Sequence, residues 1–245
     1  MRLSEAWKRN AEPWSQFAAA DSLFAGYHWE RFLELIPPPG HGTLDIGCGE
    51  GRVGRRLAEQ GHRVVGVDVS ALLVALAREA GGYESVTEAD AAALPFDNDQ
   101  FDLIVAFMSL QDIDDMEAAV AEAARVLEPG GRLVAAITHP TSTAGDFLGG
   151  TRKEPFALVR PYFEQVHHVK SVTMAGGDEV ELHGEHRPLE AYSRALERAG
   201  FVIESIREPA PDESFLAAHA SRAYAARLPL FLDLRALKRG ADAQS

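Results

Sequence analysis

One cysteine, Cys48, stands in the 245 residues, so no internal disulfide can form and a reducing cytoplasm is the expected setting. Positive charge is scarce as well. No basic run exceeds Arg55-Arg56, and a formal charge of -13 repels polyanions, which argues against a nucleic-acid substrate. The stretch from Met1 to Lys8 lacks the apolar centre of a signal peptide, and no apolar run reaches membrane-spanning length. Repeats and low-complexity tracts are also missing. These absences point to a soluble, cytoplasmic protein that works on small molecules, with no nucleic-acid or membrane partner. They leave its oligomeric state open.

What is present is enough to build one large core. With 46% hydrophobic residues, the whole of 1–245 reads as a single α/β domain. Residues 1–36 form a helical cap: Trp7 and Trp14 stand at i and i+7, with Leu3 and Phe17 at compatible helical positions, and Pro37-Pro38-Pro39 ends the segment. Phe24, Tyr27, Trp29 and Phe32 add a second aromatic group to it. Residues 140–187 break the strand-helix rhythm with Gly149-Gly150, Pro155 and Pro161. A hairpin-like pair, Val166 to Val172 and Glu179 to His183, follows around Gly176-Gly177-Asp178. Ligands of open α/β sheets bind outside the carboxyl ends of the strands, so the cap and this insert are the expected substrate walls.

The most informative stretch is Gly47-Cys48-Gly49-Glu50-Gly51, placed between the strand-like Gly42 to Ile46 and the helix-like Arg52 to Glu59. Glycine permits positive φ and close main-chain approach, and the helix start offers unpaired N–H groups, so this reads as a nucleotide-type ligand site. Asp45 at the strand end disfavours a pyrophosphate and suits a ligand with a cationic amino end. Arg63 to Val67 is a second apolar strand ending in Asp68, about 20 residues beyond the turn, the offset at which an acid grips ribose hydroxyls. A third short strand, Tyr83 to Ala89, leads to Asp90, suited to an exocyclic adenine amine. Phe101 to Met108 is a fourth, apolar on both faces apart from Asp102.

Five ordered stretches resemble the class I S-adenosylmethionine-dependent methyltransferases of the small-molecule type. They are Leu44 to Gly51, Val65 to Ser70, Ala89-Asp90-Ala91 with Leu94-Pro95-Phe96, Phe101 to Val105, and Arg125 to Leu133. The resemblance implies a doubly wound, seven-stranded Rossmann-like sheet, mostly parallel, with the last strand antiparallel between the fifth and sixth. It implies S-adenosylmethionine as cofactor and a small-molecule acceptor methylated at O, N or C. Asp45, Gly47 and Gly49 would lie along the methionine part, with Cys48 a small backbone contact of the loop rather than a nucleophile. Asp68 would hold the ribose, Val69 the adenine face, and Asp90 with the Ala91 amide the adenine amine. Phe107 and Met108 would line the methionine side, with Ser109 and Gln111 as lesser candidates.

Catalysis needs few groups, because the activated methyl carbon is brought by the cofactor. His139, after the probable fifth strand, is the leading base candidate and His186 a weaker one. Asp112, Asp114 and Asp115 read as helix-capping acids rather than Mg²⁺ ligands. His167 and His168 fall on opposite faces of a strand, so no metal site is expected. Two other readings stay open: an NAD-dependent oxidoreductase, since Gly49 to Gly54 spells G-x-G-x-x-G, and a non-catalytic S-adenosylmethionine-binding protein.

Overall fold

A computed structural model describes residues 2–20, 24–149, 151–173 and 179–240. The chain opens with α1 (Leu3–Ala20), a π-helical turn over Phe24–His28, and α2 (Trp29–Leu33). The strand-helix alternation then runs β1 (Thr43–Ile46), α3 (Arg52–Glu59), β2 (Val64–Asp68), α4 (Ala71–Ala80), β3 (Ser85–Glu88), β4 (Phe101–Phe107), α5 (Met116–Val126) and β5 (Leu127–Thr138). After it come α6 (Pro140–Ala144), β6 (Gly145–Phe147), β7 (Phe156–Leu158), β8 (Val166–Thr173) and β9 (Glu179–His186). The chain continues with α7 (Leu189–Arg198), β10 (Phe201–Arg207), α8 (Glu213–Ala218) and β11 (Phe231–Lys238).

The seven-stranded sheet has the order β10-β11-β5-β4-β1-β2-β3. β1 pairs in parallel with β2 and β4, β2 with β3, and β4 with β5; β11 runs antiparallel to both β5 and β10. This is the expected doubly wound sheet with its one reversed strand.

Alternation along the central strands feeds two cores. Ile104 and Ala106 of β4 join Leu133, Ala135 and Ile137 of β5 on the face covered by α5 and α7. Leu103, Val105, Val134 and Ala136 point the other way, against Trp29, Phe32 and Leu57 of α2 and α3. Full burial of one such side chain contributes about 1.5–3 kcal/mol, so the central strands leave little freedom of register.

Several boundaries differ from expectation. The third strand starts at Ser85, because Tyr83 turns inward as a packing residue. From Leu228 to Leu237 the sequence reads as a last strand, and pairing begins at Phe231. A helical stretch near 213–227 also reads from the sequence; α8 stops at Ala218, where His219 (φ -130°, ψ 63°) leaves the helical region and a 3₁₀ turn over Ala220–Ala226 follows. Pro188, which the sequence offers as a first helical residue, stands one residue outside α7 in an extended conformation. β8 and β9 pair as an antiparallel hairpin; its expected turn, Gly176-Gly177-Asp178, lies outside the described residues, as do the side chains of Phe17 and Phe24. No helix among the described residues is long and apolar enough to cross a membrane.

Candidate active site

The chain winds outward from β1 through β2 to β3, then crosses back to β4 on the other side of β1. A crevice opens outside the carboxyl ends of the strands at such a reversal, and a cleft lined by the glycine loop and the ends of β2 and β4 occupies it. Gly47, Gly49 and Gly51 of the loop hold φ of 71°, 57° and 87°. A Cβ on Gly47 would stand 2.4 Å from Ser109 Cβ, whose hydroxyl donates to the Ile46 carbonyl at 2.6 Å. Gly47 is therefore what lets the β1 and β4 ends close together. A Cβ on Gly49 would meet nothing within 4 Å, and Gly49 lines the cleft, so at this point the bare backbone faces open space.

Asp68 organises the loop from β2. Its Oδ2 accepts from the Gly49 amide and its Oδ1 from the Ser70 amide, both at 2.9 Å. Each oxygen keeps acceptor capacity toward the cleft that Asp68 lines. Burial raises its pKa above the ordinary carboxylate value, and the two amides act in the opposite sense.

Asp45 is placed differently from its expected role. It is 1% exposed and does not line the cleft; its Oδ2 accepts from the Tyr83 hydroxyl at 2.7 Å. Tyr83 in turn accepts from the Gly54 amide at 3.0 Å. A Cβ on Gly54 would stand 2.0 Å from the Tyr83 ring, one on Gly66 2.8 Å and one on Gly51 3.0 Å. Two of the glycines that spell a dinucleotide pattern, Gly51 and Gly54, thus make room for a tyrosine behind the loop. Burial, partly offset by the Tyr83 hydrogen bond, pushes Asp45 up to about 7. The acids that do face the cleft are Glu50, Asp68, Asp90, Asp112 and Asp114.

Most of the other expected contacts line the same cleft: Cys48, Val69, Asp90, Ala91, Phe107 and Met108. Burial raises the Cys48 thiol well above its usual range, which makes it inert as a nucleophile. Asp90 is exposed, its Oδ1 accepting from the Ala92 amide at 2.9 Å, while Ala91 is buried. Met108 has φ 58°, a turn that carries the chain out of β4 around the cleft rim.

The two histidines assigned to catalysis do not line the cleft. His139 caps α6: its Nδ1 accepts from the Thr141 amide at 3.1 Å and its Nε2 lies 3.1 Å from Glu208 Oε1. Burial lowers its pKa against the opposing pull of Glu208. His186 is fully buried, with Nδ1 2.6 Å from Thr143 Oγ1 and Nε2 2.8 Å from the Tyr162 carbonyl. Pro140 explains the first misplacement, because the proline starts a helix whose open amides take the preceding imidazole as a cap.

Among the described residues of 140–187, none lines this cleft. Its walls come from the cap and from the segment after β4. Trp7 and Trp14 of α1 meet edge to face at 5.0 Å, and Trp29 packs on Phe107 at 5.5 Å, with the Arg56 guanidinium over the Trp29 ring at 5.2 Å. The cap is fastened by Asp114, which accepts from the Leu3 amide (2.7 Å), the Ser4 amide (3.2 Å) and the Ser4 hydroxyl (2.6 Å). Of its neighbours, Asp115 caps α5 through the Ala118 amide at 3.0 Å. Arg187, 3% exposed, donates to the carbonyls of Gln111 (2.9 Å) and Ile113 (2.8 Å) and so pins the post-β4 segment. Neither Tyr83 nor Arg187 was expected at the site; the glycines around the first and the buried position of the second are tertiary facts. Among the described residues no group of three or more His, Cys, Asp or Glu is arranged to hold a metal ion.

A methyltransferase domain model matches residues 44–135. A demethylmenaquinone methyltransferase from Thermus thermophilus is 38% identical over 157 residues, 59% of this chain and 66% of that protein. One from Tropheryma whipplei is 29% identical over 150 residues, 59% of this chain and 63% of its own length. A malonyl-[acyl-carrier protein] O-methyltransferase from Enterobacter lignolyticus is 35% identical over 118 residues, 48% of this chain and 44% of that protein. The chain thus spans between under half and about two thirds of these relatives. A crystal structure of an S-adenosylmethionine-dependent methyltransferase from Mesorhizobium loti superposes with a TM-score of 0.72 at 26% identity, covering 86% of this chain and 98% of that one. Together with the sheet order, these likenesses support a class I S-adenosylmethionine-dependent methyltransferase.

Proposed function

We propose that the protein transfers a methyl group from S-adenosylmethionine to an O, N or C atom of a small, largely apolar acceptor, as one domain over 1–245 whose cap closes the cleft. The single observation that carries this reading is the pairing of Asp68 with the open backbone at Gly49: a carboxylate already oriented by two amides beside a glycine with room in front of it. That cradle suits a nucleoside whose hydroxyls donate to Asp68. In this reading Gly47, Cys48 and Gly49 run along the methionine part, Val69, Asp90 and Ala91 surround the adenine, and Phe107 and Met108 stand toward the methyl group. Asp45 acts from behind the loop, through Tyr83, rather than on the ligand.

When bound, S-adenosylmethionine supplies an activated methyl carbon. The protein's own part is to hold the acceptor in line and to exclude water, a positioning effect worth on the order of 7–11 kcal/mol. The tryptophans and Phe107 give the cleft flat apolar walls that favour a ring-bearing acceptor. Relatives named for demethylmenaquinone and for malonyl-[acyl-carrier protein] supply the first acceptors to try.

Calorimetry with S-adenosylhomocysteine and with NADH, followed by transfer of labelled methyl to demethylmenaquinol and to a malonyl thioester, tests the reading. Tight S-adenosylhomocysteine binding and label in an acceptor are expected. Binding of NADH in place of S-adenosylhomocysteine would overturn it, and S-adenosylhomocysteine binding with no transfer to any acceptor would favour a non-catalytic role.

A further inference from the structure

Asp112 is a polar group of the cleft that the reading above leaves without a task. It closes the 3₁₀ turn Leu110–Asp112 after β4 and is half-buried in the wall that also holds Trp7 and Phe107. Its Oδ2 takes one hydrogen bond, from Gln111 Nε2 at 3.1 Å, and the same amide nitrogen donates to the Met108 carbonyl at 2.7 Å. Gln111 thereby sets the orientation of the carboxylate. No other side-chain hydrogen bond or ion pair reaches Asp112 among the described residues, so Oδ1 is left to the cleft.

The charged groups around it are engaged elsewhere. Arg187 approaches from the end of β9, but its guanidinium donates to the carbonyls of Gln111 and Ile113 and to Glu185 Oε2 at 2.6 Å. Asp114 faces α1, where Leu3, Ser4 and Arg2 hold it. Tyr192 of α7 is buried beside Arg187, and His186 is occupied by Thr143 and Tyr162. A carboxylate fixed on one oxygen, open on the other and set among aromatic walls is an arrangement for receiving a proton from a bound molecule.

We propose that Asp112 is the catalytic base of the methyl transfer and that the acceptor presents a weakly acidic ring hydroxyl to its Oδ1. This rests on the methyltransferase reading of the cleft. Asp112 takes the proton of the acceptor O–H as the oxygen pair forms the new O–C bond to the methyl group. The broken C–S bond leaves its pair on sulfur, and Asp112 then returns the proton to solvent. Burial pushes Asp112 up to about 7 against the lowering influence of Gln111 and Arg187, which puts its proton affinity where such a transfer is efficient at neutral pH.

The test uses the full chain loaded with S-adenosylhomocysteine and two probes, 2-naphthol and 2-methoxynaphthalene, which differ in the O–H. Wild type is expected to prefer 2-naphthol, with the preference growing roughly tenfold from about pH 5 to about pH 8 as Asp112 ionises, since a hydrogen bond to a charged group outweighs a neutral one. In Asp112→Asn the pH dependence of that preference is expected to vanish while S-adenosylhomocysteine affinity stays within about twofold. Carboxyl NMR of ¹³C-labelled protein provides the second measurement: of the aspartate resonances titrating near neutrality, that of Asp45 is kept and that of Asp112 is missing from the variant. Equal binding of the two probes at every pH, a preference that keeps its pH dependence in Asp112→Asn, or an Asp112 resonance titrating in the ordinary carboxylate range each overturns the proposal. Failure of wild type to bind S-adenosylhomocysteine at all instead removes the methyltransferase reading, so the two failures are distinct.

Discussion

Tyr83 donates from its hydroxyl to Asp45 Oδ2 at 2.7 Å while accepting from the Gly54 amide at 3.0 Å, so one phenol joins the end of β1 to the first turn of α3 behind the glycine loop. Tyr83→Phe keeps the ring among Gly51, Gly54 and Gly66 but leaves a buried carboxyl and a helix amide unpaired. A loss of about 1–3 kcal/mol in urea unfolding is expected, with weaker S-adenosylhomocysteine binding by calorimetry. Stability unchanged from wild type would show that water replaces the hydroxyl without cost.

The raised Asp45 gives a pH dependence of defined sign. The unfolded side chain titrates near 3.9 and the folded one near 7, so between those values the native state holds more protons than the unfolded state. The contribution of Asp45 is therefore greatest below about pH 4 and declines as pH rises through about 7, by an amount on the order of 4 kcal/mol. Chemical unfolding across this range should show a flatter stability profile for Asp45→Asn than for wild type. A parallel pair of profiles would mean that Asp45 ionises normally in the fold.

Asp68→Ala removes both the acceptor for the Gly49 and Ser70 amides and the expected partner of the ribose. A drop in S-adenosylhomocysteine affinity of roughly a hundredfold is expected, equal to about 2.7 kcal/mol, with a cooperative melt retained. Unaltered affinity would move the nucleoside away from β2.

Asp114→Ala unfastens α1 from the segment after β4, because three donors of Leu3 and Ser4 converge on that one carboxylate. Dissociation of S-adenosylhomocysteine should quicken by roughly tenfold or more, followed by fluorescence of Trp7 and Trp14, while the sheet melts at nearly the wild-type temperature. An unchanged dissociation rate would mean that the cap does not gate the cleft.

The parts of this protein that could be read from its residues are those set by local rules. The alternation of Leu103, Ile104, Val105 and Ala106 demanded a strand buried on both faces, and the glycine loop between β1 and α3 demanded a tight turn at a ligand site. What escaped the reading depends on which side chain meets which across the fold. Asp45 was expected in front of the loop because its position at the strand end is visible in sequence, whereas Tyr83, which claims it from behind, is 38 residues away. His139 and His186 drew notice as histidines near strand ends, yet a helix start and a buried hydroxyl occupy them. Asp112 was read as one of three capping acids; only Asp115 caps, and the three carboxylates point to three different surroundings.

β11 lies between β5 and β10, and its seven register pairs with β5 run the length of the sheet's centre. Until β11 is in place, β10 has no strand to pair with, and the turn ahead of α2 lacks the Asp233 carboxylate that meets His28 at 2.8 Å in the buried interior. Assembly of one flank of the molecule therefore waits for residues 231–238 to leave the ribosome, while the β1 to β4 half that surrounds the nucleoside cradle has all its strand neighbours much sooner. During synthesis the cradle precedes the β10–β11 flank, so His28 acquires its Asp233 and Phe231 neighbours only after the nucleoside side of the sheet has its strands.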